Sequence, residues 1–285
     1  PKFPEGDGGE VLTRFHREAR SAATLNHRNI CQVFEVDEQD GQHYIAMAYV
    51  EGRPLSDFIN PEKPLPQRTA ALIVRKVARA LSHAHKQGVV HRDLKPANIL
   101  MDKEKEPVIT DFGLACNTAA DESRVTQSGR MLGTPAYMPL EQVEGDIDRI
   151  GPPADIYSLG VVFYELLTNE VPFIGPVIAV VGQILNAEPT KPSELRADVD
   201  PQLEAICMKA MAKQIEDRFT SMAEFSDALS AYLRGQPTNV ELATASVTAK
   251  QKQSSAGDVQ PSGALALGRN FWNAFPSVGK WGVGA

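Results

Sequence analysis

The spacing of hydrophobic residues changes several times along the chain, and each change predicts a different element. Between residues 10 and 25 the spacing is three or four, which is typical of one face of an amphipathic helix. Two strand-like runs follow at 30–36 and 43–50, and the pair Asp40-Gly41 between them favours a hairpin turn. This order predicts a small unit made of one helix and one two-stranded ribbon.

After residue 50 the pattern is mainly helical. Helices are expected at 71–88, 155–168, 201–212 and 221–233. The second of these is apolar nearly all round, which indicates a helix buried in the middle of a domain. Thr220 stands where the N-cap of the last one would lie. Brief apolar pairs between residues 89 and 111 predict short strands.

The periodic pattern ends near residue 234. Residues 235–285 are rich in Gln, Ser, Thr, Ala and Gly, and they hold four basic and two acidic side chains. Such a composition predicts a disordered linker or tail rather than a packed domain. We assign no function to its last part, residues 262–285.

Charge and cysteine content exclude several classes of protein. With 29 basic and 36 acidic residues the net charge is −7, which argues against a nucleic-acid-binding surface spread over the whole molecule. The three cysteines lie far apart without a C-x-x-C pair, which favours a reducing compartment. The longest uncharged run, 171–187, contains two prolines and two glycines and is a poor membrane span.

The strongest chemical signal lies at 91–98, where the sequence reads His-Arg-Asp-Leu-Lys-Pro-Ala-Asn, followed by Asp-Phe-Gly at 111–113. Phosphoryl transfer requires a carboxylate that orients a hydroxyl, oxygen ligands for Mg²⁺ and a cation near the transferring phosphate. The side chains that could supply this set are Asp93, Lys95, Asn98 and Asp111. Two ordinary turn aspartates are the alternative, but an eight-residue match with a correctly spaced partner motif argues against it.

These motifs resemble those of the protein kinases, and Lys95, two residues after Asp93, resembles the serine/threonine kinases rather than the tyrosine kinases. The likeness is to the bacterial, eukaryotic-like (Hanks-type) members and extends over nearly all of residues 10–233. It implies that Asp93 accepts the proton of the substrate hydroxyl, that Lys95 steadies the γ-phosphate, and that Asn98 and Asp111 hold Mg²⁺. Structural roles are implied for His91, Phe112 and Gly113.

The same resemblance suggests where the nucleotide binds. Glu18 stands where the family has a helix glutamate that pairs with a strand lysine, and Met47 stands at the gatekeeper position. The backbone of Ala48 and Val50 would form the hinge that contacts adenine. ATP and Mg²⁺ are the cofactors that the resemblance implies.

Residues 111–141 resemble an activation segment. Thr126 and Ser128 lie where bacterial members of the family are autophosphorylated, and Arg92 is the expected partner of the added phosphate. Thr134 would hydrogen-bond near Asp93. Self-association of the chain would allow one copy to phosphorylate this segment in another.

Two long-range contacts are expected to support the site. The resemblance implies a buried ion pair between Glu141 and Arg218, although the sequence reads Pro139-Leu140-Glu141, which moves the family's proline by one place and is expected to alter the turn. Asp155, at the start of the buried helix, is expected to hold the backbone of the catalytic loop.

The family's Gly-rich loop and strand lysine are not found in the sequence. The run 5–9 lacks the G-x-G-x-x-G spacing, and Lys2 lies closer to Glu18 than the family spacing requires. The chain begins with Pro1 and has no signal peptide, so we expect that the first three strands have been cut off. The hairpin edge left unpaired is expected to make the small lobe loose.

The predicted fold class is therefore α+β, two-lobed and protein-kinase-like, with an incomplete N-lobe at 1–50, a mainly helical C-lobe at 51–234 and the tail at 235–285. The implied function is a serine/threonine protein kinase that acts on proteins, with this chain weakly active or inactive alone. A pseudokinase or docking module and a small-molecule phosphotransferase remain as alternatives. A cytoplasmic location is expected, without nucleic acid or a membrane span in this chain, although a longer parent could be membrane-anchored.

Overall fold

The structure is a computed structural model in which residues 17–39, 42–112 and 135–236 are described. All of them belong to the first of two compact units, 1–245 and 246–285. Within the described ranges the strands are β1 (Val33–Gln39), β2 (Gln42–Met47), β3 (Gly52–Pro54), β4 (Ile99–Asp102) and β5 (Pro107–Ile109). The helices are α1 (helical over 17–23), α2 (Gln67–Lys86), α3 (Leu140–Val143), α4 (Pro152–Thr168), α5 (Val177–Asn186), α6 (Pro192–Leu195), α7 (Pro201–Ala210) and α8 (Met222–Leu233).

The predicted helix and ribbon are both present. Strands β1 and β2 pair antiparallel from Val33 opposite Met47 to Gln39 opposite Gln42, with an irregularity between Val33 and Glu35. Strand β1 begins and ends three residues later than predicted, because Ile30 forms an isolated bridge with Ile109 instead. Strand β2 begins one residue earlier and ends three residues earlier than predicted. The predicted turn residues 40 and 41 lie outside the described part.

A second sheet of three short antiparallel strands, in the order β3-β4-β5, supports the catalytic motifs. Ile99 pairs with Ile109, so the residues just before β4 and just after β5 lie next to each other. Residues 89 and 90 form no strand, contrary to the prediction, although Val89 is buried.

Helix α4 runs through the centre of the hydrophobic core, as its apolar composition predicts. Most of its side chains are buried, and its neighbours in the core come from α2, α7 and α8. It begins three residues earlier than predicted, because Pro152 and Pro153 occupy the first helical positions, where proline is tolerated. Helix α2 ends before Gly88, which has a φ of +74°.

Helices α4 and α7 approach closely at Gly160. A Cβ atom on this residue would lie 2.8 Å from Met211 Cγ and 2.9 Å from Ala210 Cβ. Gly182 in α5 has no atom within 4 Å of the same position. Only at Gly160, therefore, does the packing of these two helix glycines require the absence of a side chain.

The predicted cap of α8 is wrong by one residue. Ser221, not Thr220, is the N-cap, and its Oγ accepts the N–H of Glu224. The Glu224 carboxylate in turn accepts the N–H and the hydroxyl of Thr220. The two residues share one capping arrangement, so the sequence pattern could not separate their roles.

None of the helices in the part of the chain that the structure describes is long and apolar enough to cross a membrane.

Candidate active site

The β4-β5 pair brings the two predicted Mg²⁺ ligands into one neighbourhood. Asn98 precedes β4, and its C=O accepts the N–H of Thr110, which follows β5. Thr110 Oγ1 also lies 3.4 Å from an oxygen of Asp111. Asp111 has a left-handed φ of 61°, which turns the chain away from the strand direction.

Asp93, Lys95 and Asn98 contact each other directly. Lys95 Nζ lies 2.7 Å from Asp93 Oδ2. Asn98 Nδ2 donates to the Asp93 C=O at 2.8 Å and to Asp93 Oδ2 at 3.2 Å. The asparagine Nδ2 is thus committed to Asp93, which leaves the side-chain oxygen of Asn98 as the atom available to a cation.

His91 links the segment of Asp93 to that of Asp111. Its Nε2 lies 2.9 Å from the Thr110 C=O, and its Nδ1 accepts the N–H of Asp93 at 3.3 Å. These partners require the tautomer with the proton on Nε2. The ring is fully buried and packs against Phe112, with 4.9 Å between ring centroids.

Asp155 at the start of α4 holds the backbone just before Asp93. Its two oxygens accept the N–H groups of His91 and Arg92 at 2.9 and 2.8 Å, and one of them also lies 2.7 Å from His85 Nε2. Burial favours the protonated form of this carboxyl, but the hydrogen bond and charge of His85 and the hydrogen bond from the His91 N–H act against it and hold the pKa of Asp155 below its usual value.

Arg92 adopts a left-handed conformation, with a φ of 68°. Such a conformation is strained for a residue other than glycine, and the bond from its N–H to Asp155 stabilises it. Gln142 Nε2 donates to the Arg92 C=O at 2.8 Å. The peptide before Asp93 is therefore held on both sides.

The partner of Glu18 differs from the one that the resemblance implies. Glu18 Oε1 accepts Arg92 Nη1 at 2.8 Å, so its cationic partner in the described residues is this arginine and not a lysine. The other oxygen of Glu18 is buried and has no hydrogen-bond partner within the same ranges. The arginine expected to bind a phosphate thus binds a carboxylate in this structure.

The predicted gatekeeper and hinge lie on two adjoining depressions. Met47 lines a small cavity together with Asp111 and Phe112, whereas Ala48 and Val50 line a neighbouring groove. Cys31 lines both. Its Sγ lies 3.3 Å from the Ala48 C=O and acts as a neutral donor, because burial, with the charge of Asp111 in the same direction, raises the pKa of this thiol.

Glu141 and Arg218 form the expected ion pair despite the shifted proline. Two parallel bonds of 2.8 and 2.9 Å join them, and their side chains are 2% and 0% exposed. The remaining guanidinium N–H groups donate to the backbone C=O of Ala212, Pro153 and Lys213. Every donor of the buried guanidinium is therefore satisfied. Pro139 is the extended N-cap of α3, which accommodates the change.

Four predicted site residues lie outside the described ranges: Gly113, Thr126, Ser128 and Thr134. Two residues that contact the site, His85 and Gln142, were missed from the sequence. His85 ends up beside Asp155 only because α2 and α4 pack together, and Gln142 reaches Arg92 from a different element, so neither gives a local signal.

This arrangement is suited to holding a metal-bound phosphate chain. Mg²⁺ prefers carboxylate and amide oxygens, which Asp111 and Asn98 supply at one edge of the second sheet. Asp93 lies beside them with a carboxylate that is 41% exposed and paired with an ammonium group. The donor set therefore fits Mg²⁺ and an anionic ligand, with an acceptor for a hydroxyl proton alongside.

Comparisons with known proteins agree with this chemistry. Residues 5–230 match the protein kinase domain family. The chain is 39% identical over 228 residues, or 78% of its length, to the serine/threonine-protein kinase PknB of Mycolicibacterium smegmatis, of which it covers 36%. It is 36% identical over 219 residues, 76% of its length, to the serine/threonine-protein kinase PrkC of Bacillus subtilis, of which it covers 33%. The chain thus spans about a third of the length of these relatives. It belongs to the protein kinase domain family, among bacterial relatives of the Hanks type.

Proposed function

We propose that this chain contains the catalytic residues of a serine/threonine protein kinase that transfers the γ-phosphate of ATP to hydroxyl groups of proteins. The observation that carries the proposal is the hydrogen-bonded set of Asp93, Lys95 and Asn98, with Asp111 beside it. A scaffold without chemistry has no physical need for all four side chains.

Each residue has one role in the proposed reaction. Asn98 Oδ1 and the Asp111 carboxylate would hold Mg²⁺, which would neutralise charge on the phosphates. Asp93 orients the substrate hydroxyl and accepts its proton. Lys95, already within hydrogen-bond distance of Asp93, places its ammonium group near the transferring phosphate.

The nucleotide would lie against the hinge. Met47 would limit the depth of the pocket, and the backbone of Ala48 and Val50 would contact adenine. Glu18 would help to position the phosphates through its cationic partner. The proposal extends to an incomplete small lobe at 1–50, a larger lobe at 51–234 and a linker or tail at 235–285.

Regulation would act through the segment after Asp111. Phosphate on Thr126 or Ser128 would bind Arg92, and Thr134 would support Asp93. Self-association would allow this modification between copies. Protein substrates with Ser or Thr acceptors, and a cytoplasmic location of this part of the protein, complete the proposal.

The sequence contains no G-x-G-x-x-G loop and no lysine at the family's spacing before Glu18. We therefore propose that the 285-residue chain transfers phosphate weakly or not at all when it is alone. Loss of one preorganised donor commonly lowers a rate by about 100- to 1,000-fold. Equal rates for this chain and for one extended at its N-terminus by the family's Gly-rich loop and lysine strand would contradict this part of the proposal.

Two variants test the proposed roles separately. Asp111→Asn should weaken Mg²⁺-dependent binding of a fluorescent ATP analogue at least tenfold, because a charged metal ligand is lost. Asp93→Asn should leave that binding within about twofold but lower radiolabelled phosphate transfer to a Ser/Thr peptide library about 100- to 10,000-fold. Asp148→Asn, which changes an exposed aspartate in the short 3-10 helix Ile147–Arg149, is the control.

The outcomes distinguish the alternatives. Nucleotide binding without Mg²⁺ dependence would exclude the proposed metal site. Binding with no transfer, even in the extended chain, would indicate a pseudokinase or docking module. Transfer to a small molecule and not to peptides would indicate the third alternative.

A further inference from the structure

Three arginines form a row on one face of helix α2. Arg68, Arg75 and Arg79 are separated by seven and four residues, which places them within about 40° of each other around the helix axis. The row is about 16 Å long at 1.5 Å per residue. The guanidinium groups therefore lie on one rigid surface rather than on a loop.

A fourth arginine reaches this row from helix α8. Arg68 Nη2 donates to the C=O of Leu233 at 2.7 Å, which brings the end of α8 beside the start of the row. Arg234 follows Leu233, and together with Arg79 it is close enough to Arg75 for its charge to act on that residue. We call Arg68, Arg75, Arg79 and Arg234 the arginine cluster.

The cluster has no acidic partner within the described residues. None of its four members has a carboxylate oxygen within 4.0 Å in these ranges, whereas Lys76, beside Arg75 in the sequence, binds Glu106 at 2.6 Å. Arg75 is partly buried, and its Nε is shielded from solvent without a hydrogen-bond acceptor among the same residues. The other guanidinium N–H groups of Arg75 are not shielded in this way and can donate to an acceptor from outside.

Support of α8 alone does not explain the cluster. Cations near the C-terminus of a helix are favourable, and Arg68 satisfies one terminal C=O in this way. Arg234 binds the neutral side chain of Gln236 at 2.9 Å. Arg75 and Arg79 bond to none of the α8 carbonyls in the described part, and burial together with the charges of Arg79 and Arg234 lowers the pKa of Arg75. The close approach of like charges is unfavourable without an anion between them.

We propose that the arginine cluster is a binding site for a protein segment that carries clustered phosphoserine or phosphothreonine. The guanidinium group binds phosphate with two parallel hydrogen bonds, and a phosphate dianion compensates more charge than a carboxylate. The protein has a net charge of −7 and repels anions over most of its surface. A local site of four positive charges therefore favours an anion that carries several negative charges. The proposal rests on the proposed function in one respect: a serine/threonine kinase produces such phosphorylated segments.

Two other polyanions fit the cluster less well. A membrane surface is commonly bound by flexible lysines and exposed apolar side chains, whereas this site has four arginines, one of them partly buried. Single-stranded nucleic acid would require several exposed aromatic side chains for base stacking, and the aromatic residue of α8 near Arg68, Tyr232, is half-buried.

The test is equilibrium binding by fluorescence anisotropy, without ATP, so it does not depend on catalysis. The probe is a labelled peptide of residues 121–133 with phosphate on Thr126 and Ser128, compared with the unmodified peptide. We expect the phosphorylated peptide to bind at least tenfold more tightly. Arg79→Gln/Arg234→Gln, which changes two exposed residues, should weaken its binding at least tenfold, and Arg75→Gln should do so separately.

Arg20→Gln/Arg149→Gln is the matched control, because it removes the same charge from exposed arginines elsewhere. Equal affinity for the two peptides, or equal weakening by the control pair, overturns the proposal. The proposal is also overturned if phosphatidylserine vesicles or single-stranded RNA bind to the cluster more tightly than the phosphorylated peptide does, and if that peptide cannot displace them. Nucleotide binding in the same variants reports separately on the proposed function.

Discussion

Asp155 fixes two consecutive peptide N–H groups, and this contact determines where Asp93 can lie. The carboxylate is fully buried and also binds His85 at 2.7 Å. A buried charge needs its hydrogen bonds, because an isolated charge in a protein interior is unstable. The residue therefore couples the stability of the core to the geometry of the catalytic loop.

The pH dependence of stability should reflect this carboxylate. Its folded-state pKa is lowered, so its contribution is present above the unfolded-state pKa, near 3.9, and is lost as the pH falls through the folded-state value. We expect Asp155→Asn to lower the free energy of unfolding by about 3 kcal/mol at pH 7 and by less at pH 3. Urea unfolding at both pH values measures the difference. Asp148→Asn is the control, and a pH-independent difference for Asp155→Asn would contradict the assignment.

At the scale of single residues, the sequence predicted which side chains lie together only where those residues are close along the chain. Asp93, Lys95 and Asn98 could be predicted together because they occupy one short loop. The partner of Glu18 could not, because it depends on which cation the fold brings near α1. The family's partner is a strand lysine that the sequence does not contain at the required spacing, and the structure pairs Glu18 with Arg92.

At the scale of helices, the packing of α4 against α7 restricts which residue can stand at position 160. The hydrophobic pattern predicted that α4 is buried, and the structure agrees. The pattern could not show that one position along it admits no Cβ. That requirement comes from Ala210 and Met211, which lie some fifty residues later in the sequence.

Two glycine substitutions should have opposite effects. Alanine is favoured over glycine in a helix interior by about 1 kcal/mol, so Gly182→Ala, in open space, should raise the free energy of unfolding by up to that amount. Gly160→Ala should instead lower it by about 1 to 3 kcal/mol, because its Cβ would overlap Met211 and Ala210. Chemical unfolding measures both, and a gain in stability at both positions would show that α4 and α7 can separate without cost.

For the whole molecule, the Glu141–Arg218 pair connects distant parts of the larger lobe. Arg218 bonds to the backbone at Pro153 and Ala212 as well as to Glu141. The family resemblance predicted the pair, and no local pattern could have done so, because 77 positions separate the two residues.

Replacing one partner of the Glu141–Arg218 pair should destabilise the fold more than the second replacement then adds. Glu141→Leu should lower the free energy of unfolding by about 3 to 5 kcal/mol, because it leaves a buried guanidinium group without its counter-charge. Glu141→Leu/Arg218→Met should lose less than the sum of the two single changes, although three backbone C=O groups would remain unsatisfied. Additive losses in urea unfolding would argue against coupling. Lys213→Met, with a partly exposed ammonium group near Glu188, is a control.

Arg92 has one further consequence for how movement would pass through the protein. Its backbone N–H donates a hydrogen bond to Asp155 of α4, and its guanidinium group donates one to Glu18 of α1. A shift or rotation of α1 would therefore pull on a peptide that is already twisted into a left-handed turn, one residue before Asp93. Because Arg92 is bonded to both helices, the position of α1 and the orientation of the Asp93 carboxylate are coupled.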